Sequence, residues 1–551
     1  MTPKELREQA DQLFGKRATL TSFWQEVGEN FYPERADFTL KRVIGTNITS
    51  NLQTSYPILC RRDLGDQIGV MLRPTAKPWF HMAPIDDRRQ NNDAQRWLQW
   101  AEGTMRRAMY DPKTMFTRAT KQGDHDFAAF GQAVISIELN THGNALLYRT
   151  WHLRDTVWQE NQDGKIGAVF RKWKPTARDL CRLFPGRVDQ KVEALAKREP
   201  FTEVECLHMM VESDLWDGTT KMPWVSIYYD STNDKVMEQT PQHNKKYVIP
   251  RWQTVSGSQY AYSPATVAGL PDGRLLQAMT YTLLEAGEKA VNPPMVATQD
   301  AVKSDVNIRA GGLTWVDYEY DERFGEAVRP INQDLRGLPF STDLIRDTRT
   351  MLSQAFYLNK LNLPQRAAEM TAYEVGQRIQ EYIRGAMPIF EPMEMDYNGA
   401  LCEETFELLM RNGAFGSPYE MPPSLRGADI QFRFESPLHD AIEAAKGQKF
   451  LEMKQYIAEA VTMDQGAAAL PDALEALRDV LNGVGVPAKW VRPEVSVQQI
   501  LDQQKAAAAA QQTLAAMQQA AGVIKDGGAG MESMANAQVA GNPRQAVAAP
   551  I

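Results

Sequence analysis

The chain has 551 residues, 43% hydrophobic and 24% charged, with 69 acidic against 61 basic side chains and a net charge of −8. That length holds several domains around more than one core. The acidic balance argues against tight nucleic-acid binding, which is driven by cations that displace counterions from phosphates, and permits a surface that DNA slides past.

The N-terminus from Met1 to Gly15 is polar and helical in pattern, without the apolar core of a signal peptide. Thr2-Pro3-Lys4-Glu5 predicts a helix start: Thr2 caps, Pro3 suits the first turn, and Glu5 closes a capping box. The helix runs towards Tyr32-Pro33 and carries Leu13, Phe23, Trp24, Val27 and Phe31. A second helix runs from about Ser55 to Pro74 with Leu64, Ile68 and Met71 at helical spacing, and two more cover Ala94 to Met109 and Lys113 to Phe130.

The period then changes to alternation. Ala133 to Leu139 and Ala145 to Thr150 read as strands, and Trp158 to Gln162 and Ile166 to Trp173 flank the turn Asp163-Gly164. Further strands are expected at Val204 to Val211, Trp224 to Tyr229 and Tyr247 to Trp252. The first ~260 residues therefore read as an α+β domain.

A helix from about Pro271 to Val291 follows, with Leu276, Met279, Leu283, Ala286 and Ala290 on one stripe. Such a stripe is compatible with an ordinary core helix and with one subunit's share of a helix-lined channel, and the sequence does not separate the two. Asn292-Pro293-Pro294 ends the helix. Short strands and turns fill 295 to 340, including the acidic stretch Asp317 to Glu326. A helix beginning near Thr342 carries Ile345, Leu352 and Phe356, and a polar loop, Asn359 to Met370, interrupts it.

Thr371 to Glu374 is a second capping box, opening a helix with Val375, Ile379, Tyr382 and Ile383 on one face. Pro388 and Pro392 should kink it before Met410. Ser436-Pro437 starts another helical region that reaches Trp490, and Ser496 with Gln499 caps a last helix of Gln and Ala. From Gly527 the composition predicts disorder. No run of about 18 apolar residues is present, so no membrane span is expected.

Motifs for chemistry are sparse. The chain lacks the phosphate cradle GxxxxGK[ST] and the G-x-S-x-G elbow. Cys60, Cys181, Cys206 and Cys402 form no CxxC pair, so neither a zinc site nor a disulfide framework is expected and a reducing compartment fits. Asp124-His125-Asp126 has metal-type ligands, but residues two apart on a helix diverge, and the segment reads as a solvated helix face. Asp163-x-Lys165 is explained by turn chemistry. No catalytic residue, metal or cofactor is expected, and the chain does not read as an enzyme. Lys360, Arg366, Arg378 and Arg384 read as ordinary surface cations; Lys360 and Arg366 stand out only because their loop projects between two helices.

Several segments together resemble the portal proteins, or head-to-tail connectors, of short-tailed bacteriophages (podoviruses). They are the first helix with Trp24 and Tyr32-Pro33, Leu72-Arg73-Pro74 leading into Pro78-Trp79-Phe80, and Phe130-Gly131-Gln132-Ala133-Val134 before a strand. Gly164 to Arg171, Pro250-Arg251-Trp252 with Tyr260 and Ser263-Pro264, and the Pro271-Asp272 helix continue the order. The most specific match is Ala355 to Asn359 followed by Met370-Thr371-Ala372-Tyr373-Glu374-Val375, Arg378 and Glu381. Phe434 to Leu438 and Gly485-Val486-Pro487 extend the likeness to about residue 500.

The resemblance implies the α+β portal-protein fold of wing, stem, clip and crown, closed into a homo-oligomeric ring of about twelve subunits around a central channel. By it, residues 1–266 form the N-terminal part of the wing, 267–291 the first stem helix, 292–341 the clip and 342–358 the second stem helix. Residues 359–371 form the tunnel loop, 372–438 the kinked long helix and return of the wing, 439–500 the crown, and 501–551 a helical extension and tail. The implied function is a structural virion protein at one capsid vertex, assembled in the host cytoplasm, through which double-stranded DNA passes during packaging and ejection. Terminase and then tail proteins would dock on the clip through Asp317, Glu319, Asp321 and Glu322; capsid and scaffolding proteins are further partners, and no membrane is. Lys360, Gln365 and Arg366 would face the DNA without reading sequence, and Leu276, Met279, Leu283, Ile345 and Leu352 would pack the stem. The alternative is another virion structural component, an internal or tail-tube protein.

Overall fold

In the computed structural model Thr2 accepts from the Glu5 amide while the Glu5 carboxylate accepts from the Thr2 amide, so the expected capping box forms at the start of α1 (Pro3–Lys16). The structure describes residues 1–86 except 44 and 76, 92–291 except 219, 295–297, 328–330, 337–361, 392–434 except 418 and 419, 453–459 and 502–513, with a few single positions between. The expected capping box at Thr371 to Glu374, the face Val375 to Ile383 and the tail from Gly527 lie outside the described residues; of the helical region expected after Ser436, residues 453–459 are described and are helical.

The single helix expected up to Tyr32 is two helices, α1 and α2 (Ala18–Phe31). The chain breaks at Arg17 because its buried guanidinium donates to the carbonyls of Leu153 at 2.8 Å, Thr156 at 2.6 Å and Arg154 at 2.5 Å. Then come α3 (Tyr56–Leu72), α4 (Asn92–Met109) and α5 (Phe116–Phe130). β1 (Phe80–Pro84) was not expected; its antiparallel partner, β12 (Ile430–Phe434), comes from far along the chain.

Between them lie two further sheets. β2 (Val134–Leu139) pairs with β3 (Leu146–Trp151) and with the short β9 (Tyr247–Val248). β4 (Thr156–Glu160), β5 (Ile166–Trp173), β6 (Cys206–Glu212), β7 (Trp224–Asp230) and β8 (Lys235–Gln242) form a five-stranded antiparallel sheet in chain order. The predicted turn at Asp163-Gly164 joins β4 to β5: Gly164 has φ +73°, which only glycine adopts without strain, and its amide bonds the Asn161 carbonyl at 3.2 Å.

Alternation divides the five-stranded sheet's side chains. On one face Phe170, Leu207, Met209, Val225 and Ile227 bury Leu6 and Ala10 of α1. The other face meets α6 (Ala177–Leu183) and α7 (Gln190–Arg198) through Leu180, Phe184, Val192, Cys206 and Met237. α6, α7 and β8 were missed in the sequence, because their short segments lie among turns and charges that mask the period.

The second face also holds a buried polar network. Arg171 donates to the Tyr247 hydroxyl at 2.9 Å, that hydroxyl lies 2.6 Å from His208 Nδ1, and His208 Nε2 lies 2.9 Å from Ser226 Oγ. Burial, with Lys246 and Arg171 nearby, holds His208 well below its ordinary pKa, so it is neutral, accepting from Tyr247 and donating to Ser226. Tyr247 belongs to the three-stranded sheet and His208 to the five-stranded one, so the network stitches the two together.

The chain divides into two units. Residues 1–85, 100–420 and 429–445 form the first, which holds all the sheets above. The second, residues 86–99, 421–428 and 446–551, is described only in pieces: the start of α4, a 3-10 turn at Pro423–Leu425, and helical residues 453–459 and 502–513.

Candidate functional site: a rooted helix pair

A π-helical turn, Ala265–Gly269, runs into α8 (Leu270–Val291), and α8 packs against α9 (Gly337–Ala355). The start of α8 lies beside the end of α9, since a Cβ on Gly269 would stand 3.0 Å from the ring of Phe356. The opposite ends lead into β10 (Met295–Ala297) and β11 (Val328–Pro330), which pair antiparallel. The inward positions of α8 follow three-and-four spacing: Gly273 and Leu276 are buried and Thr280, Leu283 and Gly287 half-buried. In α9, Ile345, Thr348 and Leu352 do the same and are buried. This spacing is that of a seam along which two helices pack.

Of the residues expected to pack the helices, Leu276, Ile345 and Leu352 are buried, and Met279 and Leu283 half-buried. α9 starts five residues before the expected Thr342. It ends at Ala355, where Tyr357 takes a left-handed conformation, φ +57°, and one further turn, α10 (Leu358–Leu361), follows. Lys360 was expected in an open loop. It is exposed on that turn, with its amide on the Tyr357 carbonyl at 2.9 Å and its ammonium 5.8 Å from the Tyr357 ring centre. Gln365, Arg366, Asp317, Glu319, Asp321 and Glu322 lie outside the described residues.

The root of the pair is clamped by residues that sequence reasoning missed. Phe31, at the end of α2, wedges between the helices: Cβ atoms on Gly269 and Gly273 would stand 3.1 and 3.0 Å from its ring, and the Phe356 ring centre is 5.4 Å away. A Cβ at either position would crowd the ring; Gly269-x-x-x-Gly273, one helical turn apart, is the sequence signal that would have revealed it. The Gln277 side chain accepts from the Gln53 and Thr54 amides at 2.7 and 3.0 Å and donates to the Thr54 carbonyl at 2.9 Å. Arg274 pairs with Glu26, and the Tyr56 hydroxyl donates to the Arg349 carbonyl at 3.1 Å.

Beneath the root lies α5, where Asp124-His125-Asp126 is not the solvated face expected. Asp124 and Asp126 are buried. Each faces its own arginine, as residues two apart must: Asp124 takes Arg73, and Asp126 takes Arg35 in a two-point pair at 3.1 and 2.8 Å. Arg73 also donates to Asn398 Oδ1 at 2.8 Å. Burial opposes its charge, yet Asp124 beside it holds the guanidinium above its ordinary pKa. The periodicity of α5 could not reveal this, because the arginines arrive from elsewhere in the chain.

The outward side of the helix pair carries apolar side chains among charged ones such as Glu285, Lys289, Arg346 and Asp347. Tyr281, Leu284 and Met351 are 58, 54 and 55% exposed, and Leu275 and Leu344 are also open to solvent. α9 covers one side of α8, and these large apolar side chains are left in the open. Among the described residues no group of His, Cys, Asp or Glu could hold a metal ion, and no helix is long and apolar enough to cross a membrane.

The family model of bacteriophage head to tail connecting proteins matches residues 3–491. A probable portal protein of Bordetella phage BPP-1 is 24% identical over 445 residues, covering 79% of this chain and 78% of that protein. The portal protein of Salmonella phage epsilon15 is 22% identical over 528 residues, 91% of each. A chain from the solved neck of an empty GTA particle, computed with C6 symmetry, is 11% identical, covers 81% of this chain and 96% of its own, and overlays with a TM-score of 0.33.

Proposed function

We propose, from the premise that the chain belongs to the family of bacteriophage head to tail connecting proteins, that its copies close into a ring whose central channel carries double-stranded DNA. The protein is a structural connector of the phage virion. The observation that carries the ring is the helix pair: clamped at its root and apolar on its inner seam, it exposes Leu275, Tyr281, Leu284 and Met351 on its outer side. A neighbour's helix pair, placed by rotation, covers those side chains at every subunit, and a rotation that closes leaves no uncovered end. Portal proteins are named among the relatives, and on that reading the ring sits at one capsid vertex.

The finer assignments belong to the same proposal. The wing is residues 1–266 and 372–438, the stem 267–291 and 342–358, the clip 292–341, the tunnel loop 359–371 and the crown 439–500. Asp317, Glu319, Asp321 and Glu322 are the docking surface for terminase and then tail proteins, with capsid and scaffolding proteins as further partners. Lys360, Gln365 and Arg366 touch the DNA backbone. A net charge of −8 suits a channel in which DNA must slide, since few phosphate contacts hold it back. The chain works without catalysis, and assembly takes place in the host cytoplasm.

Native mass spectrometry and negative-stain imaging of the purified protein, without nucleotide or metal, test this reading. A closed ring with a through-channel is expected. Monomer alone at micromolar concentration overturns it, and a stacked tube points to a tail component. Turnover in an ATPase or nuclease assay overturns the non-catalytic assignment.

A further inference from the structure

We propose that His125 is an acid-sensitive latch on the root of the helix pair: neutral, it holds Arg61 on the carbonyl of Phe31; protonated, it releases Arg61 and loosens the Phe31 wedge. The geometry forms one continuous chain. Arg61, on α3, donates from Nη1 to His125 Nδ1 at 3.1 Å and from Nε to the Phe31 carbonyl at 3.1 Å. Its guanidinium also lies 3.8 Å from the centre of the Tyr32 ring. Phe31 is the residue whose ring fills the space left by Gly269 and Gly273 and meets Phe356. Arg61 therefore ties the end of α2, and with it the wedge, to α5.

The protonation state of His125 follows from its partners. An arginine can only donate, so Nδ1 must accept and the proton of the neutral ring sits on Nε2, which faces Asp66 Oδ1 at 3.5 Å. The imidazole is pressed against α3 so closely that a Cβ on Gly65 would collide with Nδ1. A second proton has no place on Nδ1 while Arg61 occupies it, and it would set cation against cation. Of the other groups facing the ring, Asp66 from α3 and Asp124 from α5 favour the cation, and Lys121 from α5 and Arg61 oppose it. Tyr32 meets the ring edge-on at 6.3 Å. Burial and Arg61 outweigh the carboxylates and hold the pKa below 6.5. With 11% of its side chain open to solvent, His125 still exchanges protons.

The sign follows from linkage. A histidine held below its free pKa resists protons in the closed state and takes them when the site opens. Closure is at full strength above pH 6.5 and weakens as pH falls from there towards the depressed value. Over that window the open population rises up to about tenfold per pH unit.

Hydrogen exchange of the full-length protein, corrected for the intrinsic pH dependence of amide exchange, reads this directly. From pH 7.5 to 5.5 the amides at the end of α2 and the start of α8 should open more often in the wild type. In His125→Gln, whose amide oxygen accepts from Arg61 but does not titrate in this range, they should not. Equal slopes in the two proteins overturn the latch and leave His208 or another group responsible. Exchange at the imidazole C2 position of the wild type gives the His125 pKa independently of the variant. A value below 6.5 supports the latch, and a value at or above 6.5 sinks it.

Discussion

The ring of Phe31 lies 5.4 Å from the ring of Phe356, centroid to centroid and inclined by 39°. One ends the second helix of the chain and the other follows α9, so this contact joins α2 to the end of α9 at the root of the helix pair. The glycines at 269 and 273 let both rings approach α8.

Phe31→Ala should therefore cost about 3–5 kcal/mol, the range for emptying an aromatic site in a core. Gly273→Val should destabilise for the opposite reason, because its side chain would press into the Phe31 ring. Chemical denaturation measures both. Faster hydrogen exchange at the start of α8 should accompany the loss, and a uniform change across the chain would mean that the wedge has no special role there.

The Arg73–Asp124 pair is nearly closed to water, with side chains 4 and 3% exposed. Asp124→Asn or Arg73→Met alone should each destabilise by about 3–5 kcal/mol, because each leaves a charge buried without its partner. The double variant should recover much of that loss. A thermal-unfolding cycle checks it, and strictly additive losses would show that the two side chains do not act as a pair.

Glu404, on the helix Ala400–Arg411, is largely buried, and its Oε2 finds no hydrogen-bond partner. Burial pushes its pKa up to about 7, against the pull of Lys245 and the backbone amides of Lys246 and Lys245. A raised carboxyl keeps its proton in the folded state while the unfolded chain loses it, so stability falls as pH rises from 4.5 towards 7. Glu404→Gln should be nearly neutral near pH 4.5 and more stable than wild type by about 3 kcal/mol at pH 8. Melting curves at the two pH values decide it, and a gain that is the same at both would remove the titration argument.

The outer side of the helix pair should behave as an interface. Leu284→Asp or Met351→Asp places a charge where a neighbour's apolar surface is expected, and desolvating it without a partner is costly. Each should reduce rings by native mass spectrometry by tenfold or more while the far-ultraviolet circular dichroism stays native. Intact rings at wild-type yield would place the interface elsewhere.

The sequence by itself determined what is local. Thr2 and Glu5 make a capping box, Asp163-Gly164 turns a hairpin, and α8 repeats apolar residues every three or four positions, because each depends only on neighbours within a turn or two. The ordered likeness to portal proteins was legible for the same reason, being carried by short motifs. The tertiary structure decided where charge is buried. Arg17 sits at the break in what reads as one helix, where carbonyls more than a hundred residues away accept hydrogen bonds from its guanidinium. Asp124 and Asp126 look solvated on their own helix and are buried because Arg73 and Arg35 arrive to meet them. β1 reads as a strand only once β12 has come back to pair with it. A charge or a strand edge is stable inside a protein only with its partner, and the partner's position is a property of the fold, not of the local sequence.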